Sequence, residues 1–281
     1  METKIDKDII NEHLRGSGRQ IVTDQAVKHD LTGCDFRNHQ FQRLVAIKKK
    51  FDDCDFSYSD FHAAYLRNCT FDSCKFIGCK FSNTNLRGSK FIGCTFDYVQ
   101  FSNTHVEAEI LDTGCPGQEN IQQKFARALR LNFHQIGDTV AANKAIKIEL
   151  EANRIHLYKA WRSRESYYRK KYPGLKRAKM FFEWLEFIIL DFFWGNGESP
   201  LKLLRSLAIL IALIALGDVY FLRNGYMLSS YTSGFLQAPE VLLGLYRPPN
   251  FSGLVLAGIA TLRYILIACL VSIIIKRLSR R

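Results

Sequence analysis

Six of the eight cysteines fall on one five-residue beat: Cys34, Cys54, Cys69, Cys74, Cys79 and Cys94. A Cys-x4-Cys-x4-Cys run such as Cys69, Cys74 and Cys79 has the donors for zinc or an iron–sulfur cluster, because thiolates are their usual ligands. Free cysteine also packs well as a small hydrophobe. That reading is preferred: no metal, no disulfide, and a reducing compartment for so many unpaired thiols. Enzyme chemistry is not visible. His13, His29, His39, His62, His105, His134 and His156 are scattered, without a metalloprotease helix motif, P-loop, nucleophile elbow or dinucleotide-binding glycine pattern. We therefore expect a non-enzyme with no catalytic residue and no cofactor. The remaining candidates are charges set in apolar runs, Asp218 within Leu203–Leu222 and Arg263 within Phe251–Ile275.

The elements that position these residues follow from the beat itself. Phe or Leu recurs eleven times without exception, at Phe51, Phe56, Phe61, Leu66, Phe71, Phe76, Phe81, Leu86, Phe91, Phe96 and Phe101. Helices repeat apolar residues near 3.6 and strands near 2. A strict period of five requires a chain that turns once per pentad and stacks coil on coil. The register extends back through Phe41, Phe36 and Leu31, with Ala46 in one slot, and fades through Val106 and Leu111. Small residues stand two positions before the centres, as in Cys54–Phe56 and Thr84–Leu86.

On these residues the segment 31–112 resembles the pentapeptide-repeat family. The resemblance implies a right-handed quadrilateral β-solenoid with four pentads per coil. Centre and small residue point inward, and residues one coil apart stack at about 4.8 Å. Successive cysteine slots then lie on different walls, which argues against a shared metal. The stacking also sorts the outward charges. Asp55 lies beneath Lys75 and Asp60 beneath Lys80, so salt ladders are expected there. Lys50, Thr70 and Lys90 stack beside the column of Arg67 and Arg87, with Lys48 and Lys49 at the same corner, Tyr65 alongside, and Asp52 and Asp72 offsetting part of the charge. A basic edge of this kind binds phosphates. Lys48, Lys49, Lys50, Tyr65, Arg67, Arg87 and Lys90 are thus the candidate contacts for a nucleotide or short single-stranded DNA. A solvated face that keeps the solenoid soluble is the alternative.

The net charge of +12 is unevenly placed: −1 over residues 1–30, 0 over 31–112, +6 over 113–200 and +7 over 201–281. A neutral solenoid differs from the acidic, DNA-mimicking surfaces of many soluble members of the family. Residues 1–30 have no signal-peptide core, and Ile5, Ile9, Ile10 and Leu14 suit a short helix capping the first coil. Residues 113–172 read as a helical hairpin, Ile121–Ile136 and Thr139–Tyr158, broken at Gly137–Asp138, with an apolar stripe of Ala145, Ile148, Ala152 and Ile155. Residues 173–200 follow the break at Pro173–Gly174 with an interfacial amphipathic helix, Met180–Trp194. In 201–281 both apolar runs have the length to cross a hydrocarbon core of about 30 Å. Ten Lys or Arg stand against the single acid Glu165 between Arg154 and Lys179, and Lys276–Arg281 is basic. Both termini are accordingly expected on the cytoplasmic side.

Gly234–Asn250, between the crossings, is too apolar for an ordinary outer loop, and Pro239 followed by Glu240 is expected to start a short re-entrant helix. The order helix, short helix, helix resembles bacterial proteins that fuse pentapeptide repeats, a helical hairpin and a two-transmembrane channel domain. Trp194–Pro200 is similar to the junction they carry before the first crossing. The resemblance implies a homo-oligomer, a tetramer, in the bacterial inner membrane. Asp218, Glu240, Tyr246 and Arg263 are the candidate pore or gate residues. A salt bridge between Asp218 and Arg263, an arginine ring in a pore, and snorkelling are the open alternatives for those two charges. A potassium filter of the Thr-Val-Gly-Tyr-Gly kind is not expected, because Leu243–Pro249 reads Leu-Gly-Leu-Tyr-Arg-Pro-Pro. The whole plan also resembles the membrane effector of Hailong-type anti-phage defence, which implies control by DNA oligomers. The expectation is an oligomeric channel or pore-forming effector whose partners are the lipid bilayer, its own copies and an anionic signal. A membrane-anchored scaffold that binds a protein partner without conductance is the runner-up.

Overall fold

A chain that turns every five residues needs one residue per pentad to leave the right-handed half of conformational space. In the computed structural model, which describes residues 19–222, 228–248 and 251–279, fifteen consecutive pentads do so, from Gly33 to Asn103. Four of these positions are Gly and four are Asn, the types that tolerate positive φ best. Arg43, Lys48, Tyr58 and Tyr98 adopt it as well, with φ between 55° and 63°. The first eleven of these turns, from Gly33 to Asn83, each place an amide against a backbone carbonyl of the next coil, as in Gly33 N–H to Asp52 O at 2.8 Å and Ser73 N–H to Ile92 O at 2.8 Å. Further along, Gly88 N–H donates to Glu107 Oε1 at 3.1 Å and Asn103 N–H to Gln135 Oε1 at 2.9 Å.

The walls are short parallel strands. β1 (Gln20–Thr23), β3 (His39–Gln42), β6 (Asp60–His62), β9 (Lys80–Ser82) and β11 (Gln100–Ser102) stack as one sheet. β2 (Leu31–Thr32), β5 (Lys50–Asp52), β8 (Thr70–Asp72) and β10 (Lys90–Ile92) form the second. β4 (Val45–Ile47) and β7 (Tyr65–Arg67) form the third, continued by bridges from Tyr65 to Asn85 and on to His105. A fourth wall is a run of bridges through Asp35, Asp55, Lys75 and Thr95. This is the four-walled β-solenoid expected from the repeat.

Inside, the rings stack in columns. Phe36, Phe56, Phe76 and Phe96 lie face to face at 5.1, 5.2 and 5.1 Å. Phe41, Phe61, Phe81 and Phe101 do so at 4.9, 4.9 and 5.3 Å. Ala46, Leu66, Leu86 and Val106 fill the column behind the third wall. In the small slot a thiol or hydroxyl donates to the carbonyl of the coil below, as in Cys74 Sγ to Phe51 O at 3.4 Å and Thr84 Oγ1 to Phe61 O at 3.0 Å. Cys54, Cys69, Cys74, Cys79 and Cys94 are buried, and Cys34 is half-buried. Burial pushes the Cys79 thiol up to about 12, which keeps it protonated and unreactive.

Two expectations are corrected. The solenoid starts before residue 31, because β1 already pairs with β3, Val22 opposite Phe41. Its register is one residue short of a full coil: Val22 and Val27 keep the five-residue step, but Leu31 follows only four later. The single missing residue hides this coil from the beat. The expected cap residues Ile5, Ile9, Ile10 and Leu14 lie outside the described residues. Asp55 stacks on Lys75 and Asp60 on Lys80, yet among the described residues no ion pair joins either couple. Asp55 Oδ1 instead accepts from Ser57 N–H at 2.9 Å, an Asx turn, and both lysines extend into solvent.

The open end of the stack is closed by helices. After α1 (Ile110–Thr113), α2 (Glu119–Gln135) and α3 (Thr139–Arg162) form the hairpin, followed by α4 (Ser166–Lys171). Phe125, Leu129, Phe133, Ala141 and Ala145 share the solenoid's core. The buried Asn132 mimics a further strand: its Oδ1 accepts from Thr104 N–H at 2.8 Å and its Nδ2 donates to Thr104 O at 2.7 Å. A sheet edge is thereby blunted. Gly137 (φ 78°) turns the chain, and Asp138 Oδ1 caps α3 through Ala141 N–H at 2.9 Å.

Tyr172–Arg281 is a second compact unit. It holds α5 (Leu175–Trp194), α6 (Pro200–Leu222), α7 (Leu228–Leu243) and α8 (Gly253–Ser279). The amphipathic helix begins at Leu175, five residues before the expected Met180, because the Pro173–Gly174 break is followed at once by good helix formers.

Phe76→Ala, which empties the middle of a ring column, should lower the unfolding free energy by about 3–5 kcal/mol, read from denaturant-induced loss of β circular dichroism in detergent. Native-state alkylation followed by mass spectrometry should modify Cys34 and Cys115 while Cys54, Cys69, Cys74 and Cys79 stay unmodified until denaturant is added. Labelling of native Cys79 would contradict a packed column.

Candidate anion edge and membrane core

Where the third wall meets the second, the chain turns through Lys48, Asn68 and Gly88, all at positive φ. Gly88, at φ 70°, leaves room for the Asn68 side chain, which a Cβ there would displace. This corner brings the predicted residues into two adjacent columns, Tyr65, Arg67 and Arg87 on one side and Lys50 and Lys90 on the other. They are not equally available. Lys50 Nζ sits between Asp52 at 3.4 Å and Asp72 at 3.6 Å, and its hydrogen bond to Asp52 raises the ammonium above the usual lysine range. Lys49 Nζ donates to Lys28 O at 2.8 Å. Arg67 Nη1 donates to Tyr65 Oη at 3.0 Å and lies over that ring. Lys48, Arg87 and Lys90 are exposed.

One residue at the edge was missed. His105 Nδ1 lies 3.2 Å from Arg87 Nη2. The two border a cavity of about 260 Å³ whose lining also includes Glu107, Gly137 and Asp138. The signal was available, because His105 is one coil above Asn85 and therefore beside Arg87. It was passed over as one of seven scattered histidines.

In the second unit, two helices are long and apolar enough to cross a membrane: Pro200–Tyr220, 21 residues with mean hydropathy 2.0, and Gly253–Lys276, 24 residues with mean hydropathy 2.3. α7 packs on α6 through Ile214, Ala215, Ala238, Val241 and Leu242. Gly234 permits the approach, since a Cβ there would come 3.1 Å from Val219 Cγ2. The short helix does not begin at Pro239. It begins at Leu228 and runs through the proline. The lost amide is tolerated in a helix held by packing against a neighbour.

α7 ends on Arg263. The Nη1 of Arg263, which projects from α8, donates to Leu243 O at 2.7 Å and reaches Leu242 O at 3.5 Å, and the guanidinium lies over the Tyr264 ring at 4.8 Å. A cation at a helix C-terminus meets the negative end of the dipole. Gly244, at φ 77°, leaves room for it, as a Cβ would strike Arg263 Nη1. Of the alternatives for Arg263, the salt bridge is absent: among the described residues no ion pair joins it to Asp218. Asp218 lies beside Gly234, towards the other end of α7. Glu240 is exposed, and its backbone carbonyl accepts from Leu245 N–H at 2.9 Å. Tyr246 borders, with Gly244, Arg247, Ala257, Ala260 and Arg263, a cavity of about 380 Å³.

An elbow joins α5 to α6. Gly195, Asn196 and Gly197 are left-handed in succession, at φ 65°, 51° and 84°. Lys202 Nζ to Asp191 Oδ2 at 2.7 Å and Ser206 Oγ to Phe193 O at 2.8 Å lock it. The end of α8 is tied to the same elbow by Lys276 Nζ to Glu198 Oε1 at 3.1 Å.

Residues 28–101 match the model of a pentapeptide repeat region, so the first unit carries a pentapeptide-repeat β-solenoid. Similar solved structures include a trypsin-treated variant of QnrB1, a plasmid-mediated fluoroquinolone resistance protein, at 16% identity over 32% of this chain and 48% of that one, with a TM-score of 0.25. Full-length QnrB1 is similar at 18% identity over 31% and 61%, TM-score 0.18. A pentapeptide repeat protein from the Arabidopsis thaliana thylakoid lumen is similar at 16% identity over 36% and 76%, TM-score 0.16. The chain thus spans about half the length of the first of these, 48%. No curated protein matches the sequence.

Gly244→Ala should destabilise the second unit by about 1–3 kcal/mol, since it forces a side chain into left-handed backbone against Arg263. Gly253→Ala, with open space at its Cβ, should be near neutral. Melting temperatures of the two variants in detergent compare them.

Proposed function

We propose that this protein is an oligomeric ion channel or pore-forming effector of the bacterial inner membrane. In this reading four copies surround the pore, both termini face the cytoplasm, and the solenoid senses an anionic nucleotide or DNA oligomer in anti-phage defence. The observation that carries the reading is the plan of the second unit. Two membrane-length helices flank a shorter one, α7, which stops partway with its terminal carbonyls held by Arg263. A helix of 16 residues covers about 24 Å at 1.5 Å per residue, less than the hydrocarbon core. A backbone that ends inside the bilayer is tolerated where it is packed in protein or lines a water-filled path. The corner of Lys48, Arg87 and Lys90 supports an anionic ligand, because these exposed cations stand in neighbouring columns along one edge.

Purified full-length protein in planar bilayers should conduct, and short single-stranded DNA should change the current. A bilayer that stays silent with and without DNA would sink the channel reading and leave the scaffold. Lys48→Glu combined with Arg87→Glu should weaken oligonucleotide binding by about tenfold or more at low salt, with the difference shrinking as salt rises. Equal affinity for variant and wild type would return the edge to a solubility role.

A further inference from the structure

The cavity at the end of α7 has a charge pattern of its own. Arg263 and Arg247 both border it, and its lining contains no carboxylate. The nearest acids on the neighbouring helices do not face it. Glu240 is one turn back on α7 and exposed outside the lining. Asp218 lies beside Gly234, ten residues before Gly244, or about 15 Å along a helix. The dipole of α7 contributes about half a negative charge, which offsets only part of one arginine. The site therefore stays net positive, in a segment where an unpaired charge is costly unless a partner or water reaches it.

We propose that the pore is anion-selective, with Arg263 and Arg247 as its selectivity-determining residues. The inference rests on the channel reading and names what the channel passes. A small monovalent anion entering the cavity at Gly244–Arg247 completes the charge balance that the protein leaves open, whereas a cation meets two guanidinium groups. Rings of arginine are one of the ways a pore selects anions, and repetition around an oligomer axis would multiply the field. Arg263 holds two roles at once: it fixes the end of α7 through Leu243 O and faces the cavity with the remaining charge.

The test is the reversal potential of full-length protein in neutral phosphatidylcholine bilayers under a potassium chloride gradient. The wild type should reverse on the chloride side. Arg263→Gln should lower the chloride-to-potassium permeability ratio by about tenfold, the size expected for removing a unit charge within ~10 Å of the ion path. Arg263→Lys should keep the preference, which a role confined to holding α7 does not predict. Arg247→Gln leaves the end of α7 untouched, so it carries the test if Arg263→Gln fails to fold, and it should lower the ratio in the same direction. Reversal on the potassium side, or an unchanged ratio in conducting variants, overturns the proposal. A lipid headgroup phosphate offers the same chemistry from another source. Chloride current blocked by added phosphatidylglycerol and restored in Arg247→Gln would place the headgroup in the cavity and overturn the free-anion assignment. A bilayer that never conducts refutes the channel reading itself.

Discussion

One hydrogen bond repeated up the stack governs the first unit, that from the amide of a left-handed residue to a carbonyl one coil ahead. The eleven turns from Gly33 to Asn83, Asp53 and Ser73 among them, each make it, and it holds successive coils in step. Taken alone such a corner is close to neutral. A left-handed non-glycine residue costs about 1–2 kcal/mol, and a neutral hydrogen bond returns about 1 kcal/mol net. What makes the corner worthwhile is the ring behind it, because each buried Phe contributes about 1.5–3 kcal/mol. Corner and column depend on each other: shift one turn by a residue and every Phe above it leaves its stack. The outward columns inherit the same register, which is why Arg87, His105 and the lysines of the corner stand where they do.

The second unit answers a related demand by other means. In hydrocarbon every backbone group needs a partner from within the protein. α6 and α8 supply their own, but α7 ends short and leaves its last carbonyls open. Arg263 from α8 supplies donors to them, and Gly244 is the residue that makes the approach possible. A charge that would be expensive alone is placed where the helix dipole lowers its cost.

The core was legible wherever one residue type implied one environment. Phe51 to Phe101 announced the columns, and Cys74 or Cys79 in the small slot could be assigned to packing without coordinates. Legibility failed where the outcome depended on a missing residue or a reach. The first coil was invisible because the step from Val27 to Leu31 is four, and Val is a weaker marker than Phe. Salt ladders were inferred from stacking, but Asp55 bends to its own turn and Lys75 points away. In the second unit hydropathy located both helices that are long and apolar enough to cross a membrane. It could not place Arg263, whose partners are backbone carbonyls and so leave no trace in residue type. Pro239 misled for the opposite reason: it is a strong local signal, overridden by packing against α6.

The elbow at Gly195–Gly197 has a mechanical consequence. Asp191 at the end of α5, Lys202 at the start of α6 and Lys276 at the end of α8 all meet there, so the two membrane-length helices are yoked at one end. Towards the far ends α6 leans on α7 at Gly234, and α8 is coupled to α7 through Arg263. The ends of three helices in the second unit thus hang on two lysine–carboxylate pairs, Lys202–Asp191 and Lys276–Glu198.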